Sequence, residues 1–216
     1  FNRVSWDLRR DAFKDPPRGE ESWWQEGGGP ELPPGRYTVT VQVGEQRASA
    51  PVEVMPDPRV SIAPADRQAK WQAIQRAGAL QEQLSDGITR LRAVRDDLAV
   101  VHGKLRRTGD GDNRTTLDEA RKRLLAQADA LGRRVGELEK LFWVPPGTKG
   151  IVDLGDARSK VRRVLGALQS SWEAPTAAQL AYLQEAEVTT QGALTALNDF
   201  VASEVTAFRT AVSAAG

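Results

Sequence analysis

Residues 64–107, PADRQAKWQAIQRAGALQEQLSDGITRLRAVRDDLAVVHGKLRR, decide the fold. Trp71, Ile74, Ala77, Leu80, Leu84, Ile88, Leu91, Val94, Leu98, Val101 and Leu105 recur at steps of three or four, so a helix lines them up as one apolar stripe. The mean step is near the seam spacing of a coiled coil, and a stripe of that length needs other helices to cover it. Pro64 suits a first helical turn, where the N–H it lacks would be unpaired in any case. Gly78, Gly87 and Gly103 each cost about 1 kcal/mol relative to alanine, and a kink is expected near Ser85, Asp86 and Gly87.

Towards the C-terminus the same grammar continues. Residues 108–115 form a polar, glycine-containing turn, and a second helix is predicted over 116–142, starting at Thr116 or one residue earlier. Thr116 and Glu119 stand at capping-box spacing. Its stripe is Leu117, Leu124, Ala128, Leu131, Val135, Leu138 and Phe142. Two long helices joined by a short turn must lie antiparallel if both stripes are to be buried. Pro145 and Pro146 stop this helix after Trp143. A third is predicted over 156–172, with Val161, Leu165, Leu168 and Trp172 aligned. The last is predicted over 177–211, with Leu180, Leu183, Leu194, Leu197, Val201, Val205, Phe208 and Val212 on one side, and Thr176 and Gln179 at its start have capping-box spacing. Residues 58–216 are therefore expected to form an antiparallel three- to four-helix bundle.

Residues 1–57 read differently, with most of the prolines and short alternating runs. Tyr37, Val39, Val41 and Val43 alternate with Thr38, Thr40 and Gln42, which is the period of a half-buried strand over 37–43. Gly44 and Glu45 supply a tight turn, and 46–54 returns as the partner. Val4, Trp6 and Leu8 alternate over a further predicted strand, 3–8, and a Pro/Gly-rich loop over 15–34 lies between. Three or four strands are too few to cover a sheet face, so a partial β-sandwich is expected, completed by upstream sequence or another chain. A chain that opens on Phe1 without an initiator methionine agrees with an excised or processed piece.

The totals narrow the function classes. The chain has 216 residues, of which 40% are hydrophobic, enough for real cores. Thirty Lys+Arg against 29 Asp+Glu leave a net charge of +1, so no global field favours nucleic acid or an anionic membrane. The absence of cysteine excludes disulfides, thiolate zinc sites and cysteine nucleophiles. The apolar runs fall well short of the roughly 18 residues a membrane span needs, and no signal pattern opens the chain.

Several short motifs point to a family. Residues 2–9, NRVSWDLR, are followed by Trp24 with Gly27, Gly28 and Gly29, then by residues 33–39, PPGRYTV, by Val52, Glu53 and Val54, and by Asp57, Pro58 and Arg59. In that order they resemble the C-terminal region of bacterial BNR/WD40-like, sortilin-type β-propeller proteins often described as glycosyl hydrolases. Residues 174–179, APTAAQ, are similar to a helix-joining segment of the same proteins. The resemblance implies an immunoglobulin-like sandwich followed by helices, placed after a propeller in an extracellular or periplasmic protein. No catalytic residue carries over, because none of the shared motifs is catalytic there. Glu20, Glu21, Ser22, Trp23 and Trp24 are more charged than the apolar run expected at that point.

Individual residues add little chemistry. His102, the only histidine, lacks the partners of a metal site or an acid–base pair and reads as structural or exposed. Asp110, Gly111, Asp112 and Asn113 offer oxygen ligands without the spacing or closing glutamate of an EF-hand, and read as an interhelical turn. Trp23 and Trp24, on the long loop, are the candidate contact for a ligand or partner, since aromatic faces stack on sugars and proteins alike. Trp71, Trp143 and Trp172 are expected in the bundle core. Glu137 and Glu139, like Asp96 and Asp97, lie along a solvated helix face and do not form the opposed pair of a glycosidase. The pairs Arg106/Arg107, Arg133/Arg134 and Arg162/Arg163 and the run 121–123 are interleaved with acids. No phosphate loop, nucleophile elbow or zinc-protease motif is present. No cofactor is expected, and the partner expected is an upstream propeller or another chain. The function expected is that of a non-catalytic accessory or interaction module; the alternatives are a carbohydrate-binding or glycosidase-associated module that uses Trp23 and Trp24 on a glycan partner, and a coiled-coil scaffold in a surface assembly.

Overall fold

The structure is a computed structural model that describes residues 3, 5–15, 28–107, 114–144 and 155–215. Trp23, Trp24 and the turn 110–113 lie outside the described residues, as do the side chains of Thr116 and Leu117.

Two strands and five helical segments follow in order. Strand β1 is Gly35–Val43 and β2 is Gln46–Val54. Helix α1 is Pro64–Arg107, α2 Arg114–Phe142, α3 Ala157–Gln169 and α4 Ala177–Phe200, and α4 passes through a π-helical turn, Val201–Val205, into α5, Thr206–Ala215.

Side-chain pairs along the helices fix their directions. His102 meets Asp129 and Arg95 meets Glu139, so α1 numbers fall as α2 numbers rise and the two run antiparallel. Lys160 reaches Glu185 at 2.8 Å, and the Gln179 amide donates to the Ala167 carbonyl at 2.8 Å, which sets α3 antiparallel to α4. Arg76 pairs with Glu187, and Arg90 with Asn198, so α1 and α4 run parallel. The assembly is thus three rods. One is α1, about 66 Å long at 1.5 Å per residue. The second is α2 followed by α3, laid end to end. The third is α4 with α5.

The stripe of α1 is buried at Ile74, Ala77, Leu84, Ile88, Leu91 and Leu98. Facing it are Leu124, Ala128, Leu131, Val135, Leu138 and Phe142 from α2, and Val161, Val164, Leu165 and Leu168 from α3. The long gap between Leu183 and Leu197 on α4 is filled by Ala186, Thr190 and Ala193. Small residues there let three rods approach closely. Two helix starts are closed by side chains. Asp156 accepts from the Ser159 N–H, and Thr176 and Gln179 form a reciprocal capping box.

The described residues of 1–57 form a two-stranded sheet in place of the expected β-sandwich. The sheet of the described residues has two strands, paired antiparallel from Gly35↔Val54 to Val43↔Gln46. Alternation predicted that Val41 and Val43 would be half-buried, yet they are 51% and 72% exposed, because no second layer covers the hairpin. The strand expected over 3–8 does not form either. Leu8 takes a positive φ of 60°, which no strand residue adopts, and the chain turns there. Backbone pairing comes just after, where the Leu32 N–H donates to the Leu8 carbonyl and the Gly29 N–H to the Arg10 carbonyl. Its partner is the stretch 29–32, inside the segment expected to be loop. The helix is unbroken across 64–107, through Ser85, Asp86 and Gly87. Gly87 serves packing, since a Cβ there would stand 2.4 Å from the Phe142 ring.

Residues 10–15 form a strap bound to the bundle. Phe13 is buried on α1, with the Arg10 guanidinium 4.3 Å from its ring centroid, and Gln81 donates to the Phe13 carbonyl at 3.2 Å. Asp15 closes the strap with a bidentate ion pair to Arg158, at 2.7 and 2.9 Å, and both side chains are nearly buried.

Candidate functional site

Residues 7–9 and 30–34, the base of the hairpin, the first turns of α1 and the residues at and just after the end of α3 meet around a cleft of about 360 Å³. Helix α1 contributes Arg67, Lys70, Trp71 and Ile74 to it, at the i, i+3, i+4, i+7 spacing that puts them on one face. Trp172 stands opposite. It was expected in the bundle core, but α3 ends at Gln169 and leaves the indole on the rim, 51% exposed. Trp71 is half-buried in the cleft wall, and of the three helical tryptophans only Trp143 is fully buried, at 2% exposure. Leu180, expected in the stripe of the last helix, is also exposed, and the first turn of α4 meets α3 and α1 through Gln179 instead.

Polar groups of the cleft are arranged by one another. Glu31 binds Arg9 at 2.7 Å through one oxygen and accepts from the Trp172 indole N–H at 3.3 Å through the other. Asp57 holds Arg59, and that guanidinium keeps the Asp57 carboxyl below the usual carboxylate range. Lys70 is different. Its side chain is 4% exposed, and its ammonium donates to the Ser171 hydroxyl at 3.2 Å and to the Gln179 amide oxygen at 3.4 Å. Burial pushes the Lys70 amine down, with Glu173 opposing from a distance. The positive φ of Leu8 lies on the same rim and marks stored backbone strain.

The hairpin is the other feature that faces solvent. Gly44 alone of the two turn residues has a positive φ, the arrangement of a type II′ turn, and such a turn closes on a hydrogen-bonded pair, here Val43 with Gln46. Pairs then alternate, so Thr38, Thr40 and Gln42 direct their N–H and C=O groups to the outer edge of β1. Ser49, Pro51 and Glu53 do so on β2, where Pro51 has no N–H to offer.

Other residues weighed from sequence fall outside both features. His102 is partly exposed and faces Asp129 at 3.3 Å across the α1–α2 seam. Glu139 accepts from the Trp143 indole at 3.0 Å, while Glu137 pairs with Lys140 on the surface. Among the described residues no group of three or more His, Asp or Glu is placed to hold a metal ion, and no helix is long and apolar enough to cross a membrane. Sequence reasoning passed over Lys70 and Arg67. The signal available was the place of a lysine beside Trp71 at the start of an otherwise apolar stripe.

No family model, curated protein or solved structure matches the chain.

Proposed function

We propose that this chain is a non-catalytic interaction module in which a rigid three-rod bundle presents the β1–β2 hairpin for the addition of a partner's strand. The observation that supports it is the pair of edges, unpaired among the described residues, on a hairpin whose apolar residues Val41 and Val43 are largely exposed. A lone two-stranded hairpin is marginal in water, and an unpaired edge is a template for another strand. Pro51 blunts the edge of β2, which leaves the unbroken run Thr38, Thr40 and Gln42 on β1 as the receptive one. A partner rich in sheet, such as the propeller that the sequence resemblance implies, suits this role, and an extracellular or periplasmic setting goes with it.

The test is selection of binders from a library of extended peptides, followed by amide hydrogen exchange. Supporting peptides protect the Thr38, Thr40 and Gln42 amides and lose binding to Thr40→Pro but not to Ser49→Pro. Protection confined to β2 or to the helices overturns the proposal, as does failure of every peptide to bind.

A further inference from the structure

We propose that the cleft between α1, α3 and the hairpin base binds a small organic oxyanion with an apolar body, its charged group seated on Lys70 and its body between Trp71 and Trp172. An ammonium carries three donors, and Lys70 spends two on neutral oxygens, both at long distances. It makes no ion pair among the described residues, although a buried charge ordinarily needs one. Glu173 acts on it only through space, its carboxylate bonding directly to Ser171 and to backbone N–H groups.

Ion pairing in the cleft is uneven, although Asp7, Glu31 and Asp57 balance Arg9, Arg67 and Lys70 in formal charge along its lining. Glu31 is taken by Arg9 and Asp57 by Arg59, and one oxygen of Asp7 accepts the Arg9 N–H. Arg67, one turn before Lys70, donates only to the Val60 carbonyl, at 3.5 Å. Neither Lys70 nor Arg67 makes an ion pair among the described residues, where Glu173 and Asp57 act on them only through space, and an anion entering the cleft supplies a direct one. The apolar walls set the rest of the ligand. Trp71 and Ile74 on one side and the exposed Trp172 ring on the other offer stacking surface, and the volume lies within the usual range for small-ligand sites, roughly 300–1,000 Å³.

Benzoate, benzamide and inorganic phosphate are the probes, titrated by calorimetry into the full chain and into Lys70→Met and Trp172→Ala. Expected are binding of benzoate, at least about tenfold weaker binding of neutral benzamide, and a similar loss for benzoate with Lys70→Met. Trp172→Ala weakens benzoate while leaving any binding of phosphate unchanged. A thermal melt of each variant verifies folding, and benzoate should raise the midpoint of the parent chain but not of Lys70→Met. Equal binding of benzoate and benzamide, an unchanged affinity in Lys70→Met, or no binding of either oxyanion overturns the proposal.

Discussion

Phe13 lies directly across Gly78: a Cβ built at position 78 would stand 2.0 Å from the Phe13 ring. The glycine is a seat cut into α1 for a side chain that arrives from 65 residues earlier in sequence. Replacing Gly78 by alanine adds about 1 kcal/mol of helix propensity but expels a ring whose burial stabilises by about 2–3 kcal/mol. The expected net loss is about 1–2 kcal/mol, read as a lower urea midpoint. In a Phe13→Ala background the same substitution becomes stabilising, by about 0.5–1 kcal/mol. A double-mutant cycle with no such change of sign refutes the seat.

Gly87 and Gly132 separate packing from propensity. A Cβ built at Gly87 would stand 2.4 Å from the Phe142 ring and 3.3 Å from Leu194, whereas nothing stands within 4 Å of a Cβ at Gly132. Gly87→Ala forces α2 and α4 outward and should cost about 1–3 kcal/mol. Gly132→Ala meets open space on the outer face of α2 and should stabilise by about 0.5–1 kcal/mol. Urea unfolding of both variants, with opposite displacements of the midpoint, checks the assignment.

The bundle and the two strands of the hairpin were legible and the rest of the N-terminal region was not, for one physical reason. Along α1, burial of Ile74, Leu84, Ile88, Leu91 and Leu98 is written as a period that any neighbouring helix satisfies. The alternation of Tyr37 to Val43 specifies strand geometry, but not whether a layer covers it, and at Val41 and Val43 none does. Around Leu8 the alternation was misleading, because a single left-handed φ outweighs it. The cleft depends on contacts between residues 67–74, 169–172 and 7–9, and no local period records such distant pairings. Gly78 held a readable signal that only the position of Phe13 explains.

Asp15 and Arg158 tie the strap to the start of α3 with side chains only 10% and 12% exposed. Surface ion pairs contribute little, but removal of one member of a nearly buried pair leaves the other charge desolvated. Asp15→Ala should therefore destabilise by about 3 kcal/mol. The Arg158 guanidinium also lies 5.7 Å from the Trp143 ring centroid, so loosening of the strap is expected to alter indole fluorescence before global unfolding. Coincident fluorescence and circular-dichroism transitions in Asp15→Ala contradict this coupling.

Lys70 makes stability depend on alkaline pH in a defined direction. Desolvation lowers its amine in the folded chain, so between that lowered value and the ordinary lysine value near 10.4 the unfolded chain holds more protons than the folded one. Stability contributed by this group consequently rises with pH through that window. Below it Lys70 is charged in both states and the fold carries the full desolvation cost, which Lys70→Met removes while keeping an unbranched apolar chain of nearly the same length. At neutral pH Lys70→Met should be the more stable chain, and its advantage should shrink as pH approaches the ordinary lysine value. Tyr37, whose hydroxyl burial pushes up, titrates in both chains and cancels in the comparison. Chemical denaturation of the two chains in parallel from neutral to alkaline pH decides the matter, and a constant difference across the range means that the Lys70 ammonium is not desolvated in the fold.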